Sequence, residues 1–319
     1  MCYLISQDCL AEGRGISLPA LSVAAAKGVA LSVGAYSRIR KQFKVPIAEM
    51  EGVQEALARI GGNAYIMVSA QLLTNAMLNK HEQPAVISAI MKQQMTHRMR
   101  QVVNDGMDVL GGAGICNGPA NFLANAYTAV PIAITVEGAN ILTRSLIQFG
   151  QGLTRSHPHL LHLIKSIQHG DDLKGFNSAL TSIIGHAVGN VGRSLSAAAG
   201  RRRSKGSDAV GYYESQLGRL STNFALCSDF ALTMGGKLKF AEFTSGRFAD
   251  VLSNIFLGYA VLWHYQKFPV EGGEKVLDYA MQSLLCETEE ALFAIFDNFP
   301  VPLLGSIMKT LTFPTGKAG

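Results

Sequence analysis

The sequence predicts an all-α protein, in which an antiparallel four-helix bundle over residues 1–153 is followed by an additional helical domain over residues 154–319. Apolar residues recur with helical spacing along most of the chain. Prolines stand at two of the predicted helix starts, and a run of glycines stands at a predicted helix end. No stretch of useful length alternates apolar and polar residues, so strands are not expected.

The predicted bundle consists of four helices joined by short links, a layout that favours antiparallel neighbours. Its helices are predicted over Ser6 to Arg40, from Pro46 onward, from Pro84 to about Leu110, and from Glu137 to about Gly150. The second helix carries an apolar stripe at helical spacing, formed by Val53, Leu57, Ile60, Ala64 and Met67. Residues 115–134 contain two prolines and are predicted to be irregular.

A stretch rich in glycine and proline, from Gly150 to Pro158, separates the bundle from the second domain, and the boundary is predicted near residue 154. Helical spacing continues beyond it. The further helices are predicted over Leu160 to Gln168, Phe176 to Ala199, Ala209 to Gly235, Phe248 to Phe268, and Gly273 to Asn298. Phe313 and Pro314 end the part that is predicted to be ordered.

The composition excludes several classes of protein. With 48% hydrophobic and only 16% charged residues, the chain is too apolar to be disordered. The net charge of +5 is mild and forms no continuous basic stripe, so no nucleic-acid partner is expected. The densest basic run, Arg201 to Lys205, is interpreted as a solvated loop, with weak attraction to anionic lipid as the alternative.

The spacing of the cysteines and the composition of the N-terminus bear on the cellular compartment that is expected. Five scattered cysteines without close pairs favour reduced thiols in the cytoplasm over disulfides or a zinc site. The N-terminus lacks the basic-then-apolar layout of a signal peptide, and no run of 18 uncharged apolar residues predicts a membrane-spanning helix. A cytoplasmic location is expected, with peripheral contact to the inner membrane left open.

Glu137 is the outstanding candidate for chemistry, because it stands in an apolar stretch with no other carboxylate between Asp108 and Asp171. A charged carboxylate is costly to bury beside Ile, Val and Leu side chains. One interpretation is structural, since Glu is favoured in the first turn of a helix. The other is that the chain keeps an unpaired base here.

Three other groups of residues each allow a structural and a functional interpretation. The run Arg40-Lys41-Gln42-Phe43 is either a charge cluster at a helix end or an anion clamp. Gly111-Gly112-Ala113-Gly114 is either a helix-ending turn or a place where a ligand approaches the backbone, but it follows no strand and so fails the dinucleotide fingerprint. The histidines after the boundary predict no metal site, because no cysteine lies near them and the adjacent carboxylates fit no ligand pattern.

Taken in order, four segments resemble the C-terminal helical domain of acyl-CoA dehydrogenases over about residues 5–152. They are Arg40 to Phe43, Pro46 to Gln54, Val109 to Gly114, and Val136-Glu137-Gly138 with Arg144 seven residues after Glu137. The segment from Ala133 to Arg144 and the helical extension to residue 319 resemble the bacterial branch that oxidises medium- and long-chain fatty acyl-CoA in β-oxidation.

The resemblance implies a role for each matching position. Glu137 falls on the catalytic base, which takes the α-proton of the acyl thioester, and its backbone N–H would polarise the thioester carbonyl. Arg14, less securely, and Arg144 fall on positions near the fatty acyl-CoA substrate. The positions implied to bind FAD are Arg40, Phe43, Asp108, Gly111, Gly112, Gly114 and Gly138, of which the loop glycines would approach the cofactor of a neighbouring subunit. Electron-transfer flavoprotein is the implied electron acceptor.

The chain also departs from the family's pattern. Lys44 replaces the usual Gly after Phe43, Asp108 stands where a Gln is common, and Ala139 replaces the usual Thr after Glu-Gly. These changes bear on FAD affinity, since a negative charge near a pyrophosphate is unfavourable.

The family's N-terminal helical domain and middle β-domain do not precede this region in the sequence. The chain is therefore expected to be the C-terminal part of a dehydrogenase, from a truncated or split gene or a trimmed chain. It is expected to form a homo-oligomer or to need a partner chain that supplies those domains. The competing hypothesis is a non-enzymatic helical interaction module, or an inactive remnant of such an enzyme.

Overall fold

The fold comes from a computed structural model, and the residues described are 2–82, 85–145, 152–153, 157–168, 173–199, 208–314 and 316. Within these residues the chain forms eleven α-helices, a few 3-10 turns and two strands of two residues each. The predicted all-α fold class is confirmed.

Five helices and a hairpin make up the first part of the chain. The helices are α1 (Cys2–Ile39), α2 (Glu51–Leu78), α3 (Ala85–Leu110), α4 (Ala124–Thr135) and the single turn α5 (Asn140–Leu142). Strands β1 (Lys41–Gln42) and β2 (Val45–Pro46) pair antiparallel directly after α1. Short 3-10 turns cover Ile47–Glu49 and Gly111–Gly114.

Six helices follow in the second part of the chain. They are α6 (Leu160–Gln168), α7 (Leu173–Ala199), α8 (Ala209–Leu232), α9 (Glu242–Lys267), α10 (Gly273–Asp297) and α11 (Pro302–Thr312). A 3-10 turn over Gly235–Lys239 lies between α8 and α9.

The chain divides into two compact units. The first comprises the described residues up to Thr143 together with Ala260–Gln282, and the second comprises Arg144–Tyr259 and the residues from Ser283 onward. The end of α9 and the start of α10 therefore belong to the first unit. The prediction had a single boundary near residue 154. It did not predict that residues 260–282, far along the chain, belong to the first unit.

Helices α1, α2 and α3 pack against one another in the first unit, and α4 packs on α3. Val29 and Val33 of α1 are buried where Gly106 of α3 approaches them, and a Cβ atom at Gly106 would lie 2.9 Å from a Val29 methyl carbon. A side chain at that position would force the helices apart. The glycine therefore permits the close approach of α1 and α3, the two helices that carry most of the candidate site.

The end of α9 completes the first unit beside α2. Ser69 Oγ lies 2.7 Å from His264 Nδ1, and the Tyr65 ring stacks on the His264 ring with centroids 5.0 Å apart. Gly62 faces Tyr279 of α10 so closely that a Cβ atom would lie 2.3 Å from the ring. These contacts explain why residues near 260–282 belong to the same unit as α2.

The second unit has its own aromatic core. Phe293 and Phe296 of α10 contact Phe313, which follows α11, with ring centroids 5.0 and 6.1 Å away. The Arg219 guanidinium lies over the Phe313 ring and donates to Glu289 at 2.6 Å, so a buried ion pair lies beside this core. Arg219 and Glu289 are both buried, and removal of either would leave an uncompensated charge.

The structure corrects three predictions in the first part of the chain. Helix α4 occupies part of the stretch predicted to be irregular, and it continues through Pro131 because Val130 and Ala133 are buried against its neighbours. Pro46 ends a strand and does not open a helix; α2 begins at Glu51 after a 3-10 turn. The β1–β2 hairpin was not predicted, because strands of two residues are too short to show an alternating pattern.

In the second part, every predicted helix is present with ends within a few residues, except that α9 begins earlier, at Glu242. Helix α11 was not predicted. One segment, Arg14–Ile39 of α1, is long and apolar enough to cross a membrane, although the core helix of a soluble protein meets the same criterion. Val23, Ala26 and Val33 of that segment are buried in the bundle.

Candidate active site

Glu137 lies in the link between α4 and α5, outside both helices. Its φ angle is +54° and that of Gly138 is +96°, so two consecutive residues adopt left-handed backbone and reverse the chain. The interpretation of Glu137 as a first-turn helix residue is therefore wrong, since α5 begins only at Asn140. The predicted continuation of this helix, residues 146–150, lies outside the described residues.

Lys92 of α3 holds this link in place. The residue is fully buried, and its Nζ donates to the carbonyl oxygens of Ile134 at 3.0 Å and Gly138 at 2.7 Å and to Asn140 Oδ1 at 2.7 Å. Burial lowers the pKa of Lys92 to about 8, and the negative charge of Glu137 opposes that shift. The buried ammonium group of Lys92 thus has three good acceptors, which lie in or beside the link that carries Glu137.

The Asn140 side chain joins the link to the next turn of α3. Its Nδ2 donates to Thr96 Oγ1 at 2.9 Å, and Thr96 Oγ1 donates to the Lys92 carbonyl at 2.7 Å. Thr143 Oγ1 donates to the Gly138 carbonyl at 3.2 Å from the other side. The polar groups of the link are therefore connected to α3 through side chains as well as through Lys92.

The Glu137 carboxylate lies near two cations but is not hydrogen-bonded to them. Its Oε2 is buried and has no hydrogen-bond partner among the described residues. Arg14 of α1 is buried; desolvation lowers the pKa of its guanidinium, and the charge of Glu137 acts in the opposite direction. The same charge acts on Lys92. A carboxylate oxygen without a donor, beside two positive charges, is able to accept a proton from a bound molecule.

The hairpin after α1 presents the residues predicted to bind a cofactor. Arg40 lies just before β1 and is exposed, and Phe43 at the hairpin tip is 90% exposed. Phe43 and Lys44 have φ angles of +50° and +69°, the left-handed pair of a tight two-residue turn. The sequence resemblance implies a Gly where Lys44 stands, and a glycine adopts this backbone without a Cβ clash.

The glycine-rich segment after α3 forms an exposed turn. Gly111 has a φ angle of +60°, and no heavy atom lies within 4 Å of a Cβ atom placed at Gly111 or Gly112. Gly114 is buried, and a Cβ atom there would lie 2.8 Å from the Met107 carbonyl oxygen. Asp108 is exposed one turn earlier. Gly111 and Gly112 leave room for a ligand, whereas Gly114 is required by packing.

The hairpin and the glycine turn lie at one end of the bundle, and Glu137 lies toward the other. Tyr36 Oη lies 3.5 Å from the Leu110 carbonyl, which brings the ends of α1 and α3 together. Lys92, which contacts the Glu137 link, precedes Leu110 by eighteen residues of the same helix. At 1.5 Å per residue these two points are about 27 Å apart along α3.

Arg144 is engaged by Asp250 of α9 within the second unit. Its Nε donates to Asp250 Oδ1 at 2.7 Å and its second amino group donates to Oδ2, so the pair is bidentate. The Asp250 hydrogen bond raises the pKa of the Arg144 guanidinium. The substrate-binding role of Arg144 stays a prediction, and Asp250 would compete with a substrate for its guanidinium.

A second polar cluster in the second unit brings together His157, His186 and Asp229, whose ligand atoms lie within 4.8 Å of one another. His157 Nδ1 accepts from the backbone N–H groups of His159 and Leu160 at 3.2 and 3.1 Å. In the neutral ring the proton is therefore on Nε2, which lies 3.1 Å from Asp229 Oδ1. A metal would need the lone pair of that nitrogen, so the hydrogen bonds of His157 disfavour a metal site here.

Comparison with known proteins identifies the family. Residues 154–318 match the family described as acyl-CoA dehydrogenase, C-terminal, bacterial type, and residues 4–150 match the acyl-CoA dehydrogenase C-terminal domain. The chain belongs to the acyl-CoA dehydrogenase family. The two matches meet between residues 150 and 154 and leave only a few residues at each end of the chain unmatched.

A solved acyl-CoA dehydrogenase from Bacillus anthracis, in complex with FAD, has a similar structure. The TM-score is 0.70 over 97% of this chain and 54% of that one, at 17% sequence identity. The chain therefore shares the fold of part of that protein, and it spans about half of that protein's length.

Sequence reasoning placed Glu137 and Arg14 in an acyl-CoA dehydrogenase site but missed Lys92 and Asn140. A lysine within a helical pattern is normally a surface residue, so nothing marked Lys92 as buried. The sequence contains one indication that Lys92 is buried, because it follows the mostly apolar segment Val86 to Met91. In the structure Lys92 lies on the buried face of α3.

Proposed function

We propose that this chain supplies the catalytic base of a flavin-dependent acyl-CoA dehydrogenase, which oxidises fatty acyl-CoA to trans-2-enoyl-CoA in β-oxidation. The observation that carries the proposal is the state of Glu137. Its Oε2 is buried without a hydrogen-bond donor, although Lys92 and Arg14 place two positive charges nearby. A carboxylate oxygen left free of hydrogen-bond donors beside two cations is placed to accept a proton, as a general base must.

In this proposal the residues of the chain act on the acyl group. Glu137 removes the α-proton of the thioester with its carboxylate oxygen, and the Glu137 backbone N–H polarises the thioester carbonyl. A bound FAD would supply the acceptor for the β-hydrogen, which leaves the substrate as hydride. Arg14 contributes positive charge where the CoA end of the substrate would lie. Burial of Oε2 keeps water from that oxygen, where it would otherwise compete for the lone pairs.

Most of the residues proposed to hold FAD lie on open surface that a ligand can reach, but Gly114 is buried and Gly138 is half-buried. Arg40 offers a cation and Phe43 an aromatic face, and Gly111 and Gly112 leave space against the backbone. The exposed Asp108 carboxylate is unfavourable near a pyrophosphate and is expected to weaken binding. These residues fit part of an FAD site, and other protein surfaces would supply the remaining contacts with the cofactor.

The distance between Lys92 and Leu110 along α3 supports an oligomer. Lys92 donates to the Gly138 carbonyl beside Glu137, whereas the hairpin and the glycine turn lie near Leu110, about 27 Å away along α3. Of the residues proposed to bind FAD, Gly138 alone lies beside Glu137. One flavin ring cannot reach both groups of residues. We infer that the hairpin and glycine turn of one copy would help to hold a cofactor that serves Glu137 of a neighbouring copy. Electron-transfer flavoprotein is the proposed acceptor, and the proposed location is the cytoplasm, with peripheral contact to the inner membrane left open.

The test uses Glu137→Gln in the FAD-loaded enzyme that contains this chain. Gln has nearly the same shape but cannot accept the α-proton, so turnover is expected to fall by about 10²–10⁴-fold while substrate affinity is kept. Steady-state turnover of a fatty acyl-CoA with an artificial electron acceptor measures the loss. Circular dichroism and the flavin absorbance band check that the fold and the cofactor are retained.

The matched control is Glu51→Gln, because Glu51 is an exposed carboxylate at the start of α2 and lies in no part of the proposed site. Its turnover is expected to equal that of the parent enzyme. The proposal is wrong if Glu137→Gln keeps most of its turnover at saturating substrate, or if a change at another carboxylate abolishes it.

A further inference from the structure

We propose that Lys92 is the positioning residue of the Glu137 base: it fixes the backbone on both sides of Glu137 and leaves the carboxylate without a hydrogen-bond donor. This inference rests on the proposed function, since it assigns a purpose to the position of Glu137. Its geometric part concerns the fold of residues 134–140 and can be tested without any catalysis.

The first step is the number of donors on Lys92. A lysine ammonium group has three N–H donors and no acceptor. Lys92 Nζ has three oxygen acceptors, at 3.0 Å from Ile134, 2.7 Å from Gly138 and 2.7 Å from Asn140. All three N–H bonds are thereby used, and none is left for the Glu137 carboxylate.

The second step is where these acceptors lie in the sequence. Ile134 is three residues before Glu137, Gly138 is the next residue, and Asn140 is three residues after it. One buried cation thus holds the chain on both sides of the base. Glu137 itself has a φ angle of +54°. A non-glycine residue stays in this region only where its surroundings determine it, and Lys92 supplies that constraint.

The third step is the rigidity of Lys92 and Asn140. Thr96 lies one turn after Lys92 on α3, accepts from Asn140 Nδ2 at 2.9 Å and donates to the Lys92 carbonyl at 2.7 Å. The Asn140 side chain is therefore oriented with its oxygen toward Lys92. This arrangement of Lys92, Asn140 and Thr96 closes a ring of hydrogen bonds between α3 and the link that carries the base.

The fourth step is the charge balance around Glu137. The charged groups that face it are Lys92 and Arg14, and among the described side chains neither forms a direct ion pair with it. Both cations therefore place positive charge near the carboxylate without donating a hydrogen bond to its Oε2. A direct hydrogen bond from either would occupy the lone pair that must receive the substrate's proton. By donating to the backbone, Lys92 supplies the charge and leaves that lone pair free.

The geometric part is tested by amide hydrogen exchange on this chain, comparing Lys92→Met with the parent. The reporters are the amides of Val136 and Thr143, which donate to Ile132 at 3.0 Å and to Ala139 at 2.9 Å on either side of Glu137. Loss of three hydrogen bonds from a charged donor is expected to accelerate their exchange by roughly ten-fold or more. Amides in α2 are expected to keep their rates.

The matched control is Lys27→Met, because Lys27 is an exposed lysine of α1 and is expected to change nothing. If Lys92→Met does not fold, Asn140→Ala removes one acceptor and leaves the buried cation in place, and the same two amides are expected to exchange several-fold faster. Unchanged exchange at Val136 and Thr143, or an equal rise throughout α2, would overturn the positioning role.

The catalytic part is tested in the FAD-loaded enzyme by the pH dependence of turnover. The pKa of Lys92 is lowered by burial to about 8, so the ammonium loses a donor above that pH and turnover is expected to fall there. Lys92→Met is expected to lower kcat by roughly 10–10²-fold with little change in KM, because a displaced base aligns poorly. The fall near pH 8 should then be absent.

Lys92→Arg gives the conservative rescue, since Arg keeps its charge at every pH used. It is expected to restore part of kcat and to move the alkaline fall to higher pH. Persistence of the fall near pH 8 in Lys92→Arg would overturn the catalytic part. The two hypotheses fail separately: if Glu137 is not the base, Glu137→Gln stays active, whereas the exchange rates in Lys92→Met still respond.

Discussion

At the scale of single residues, left-handed backbone marks the candidate ligand positions. Four non-glycine residues in the described chain have φ angles in this region, namely Phe43, Lys44, His81 and Glu137. Such residues are uncommon, because the Cβ atom crowds the carbonyl that follows it. The family resemblance assigns a role to two of the four. Phe43 would contact the cofactor, and Glu137 would accept the proton of the substrate. The strain there is retained where a side chain must point to a ligand.

Lys44 provides a test of that strain. Lys44→Gly is expected to raise the free energy of unfolding by about 0.5–1 kcal/mol, because a glycine adopts φ near +69° without a Cβ clash. The greater freedom of glycine in the unfolded chain offsets part of the gain. Urea unfolding followed by circular dichroism measures the change. Lys41→Gly, in strand β1 of the same hairpin, should instead be neutral or destabilising, and equal effects at both positions would contradict the explanation.

The sequence could predict Glu137 but not what holds it. Its isolation from other carboxylates is visible in the residue order alone. The contacts of Lys92 with Ile134, Gly138 and Asn140 join positions more than forty residues apart, so no local pattern reports them. The same applies to Arg144, whose pairing with Asp250 depends on how α9 folds back within the second unit.

At the scale of elements, the link between α3 and α4 is organised by one side chain. Asn121 is buried, and its Nδ2 donates to the carbonyl oxygens of Gly114 at 2.7 Å and Cys116 at 3.1 Å. Its Oδ1 accepts from the Leu123 backbone N–H at 3.1 Å. Asn121 thus connects the end of the glycine turn to the start of α4 and fixes the surface proposed to face the cofactor.

Asn121→Ala is expected to lower the free energy of unfolding by about 2–3 kcal/mol, because it leaves the buried Gly114 carbonyl and the Leu123 N–H unpaired. Thermal and urea unfolding of the chain measure the loss. Asn117→Ala is the control, since Asn117 is exposed in the same link and should change stability by a few tenths of a kcal/mol at most. Similar losses in both variants would show that Asn121 does not organise the link.

Helix periodicity predicted the long helices well because each buries one face along its length. It failed at α4, where Pro131 suggested an irregular segment; burial of Val130 and Ala133 outweighs the hydrogen bond that the proline cannot donate. It failed at the hairpin because two residues cannot show a period. It placed α5 three residues early, since the preference of Glu for a first turn does not reveal left-handed backbone at Glu137.

At the scale of the whole molecule, each compact unit contains a histidine whose pKa is lowered by partial or full burial, so that it resists protonation. Burial lowers the pKa of His157 in the second unit, and the hydrogen bond to Asp229 only partly opposes this shift. Burial also lowers the pKa of His264 in the first unit, where Ser69 lies 2.7 Å from its Nδ1. Both rings are held in polar settings that fit the neutral imidazole.

These shifts predict acid sensitivity with a definite sign. The unfolded chain binds protons at histidine near pH 6.5, whereas the folded chain binds them only at lower pH. The unfolded state therefore holds more protons in this range, and stability falls as pH decreases through about 6.5. The thermal unfolding midpoint, measured between pH 7.5 and 5, is expected to fall on the acid side.

His157→Asn and His264→Gln, which do not titrate, should each reduce the dependence of this midpoint on pH, even if they lower the midpoint at pH 7.5. His162→Gln is the control, because His162 is exposed and should leave the slope unchanged. The net charge of +5 grows at low pH and destabilises every variant alike. The prediction is therefore tested by comparing the slopes of the His157 and His264 variants with the slope of the His162 variant. Equal slopes in all of them would show that carboxylate protonation, and not these two histidines, sets the acid limit of the fold.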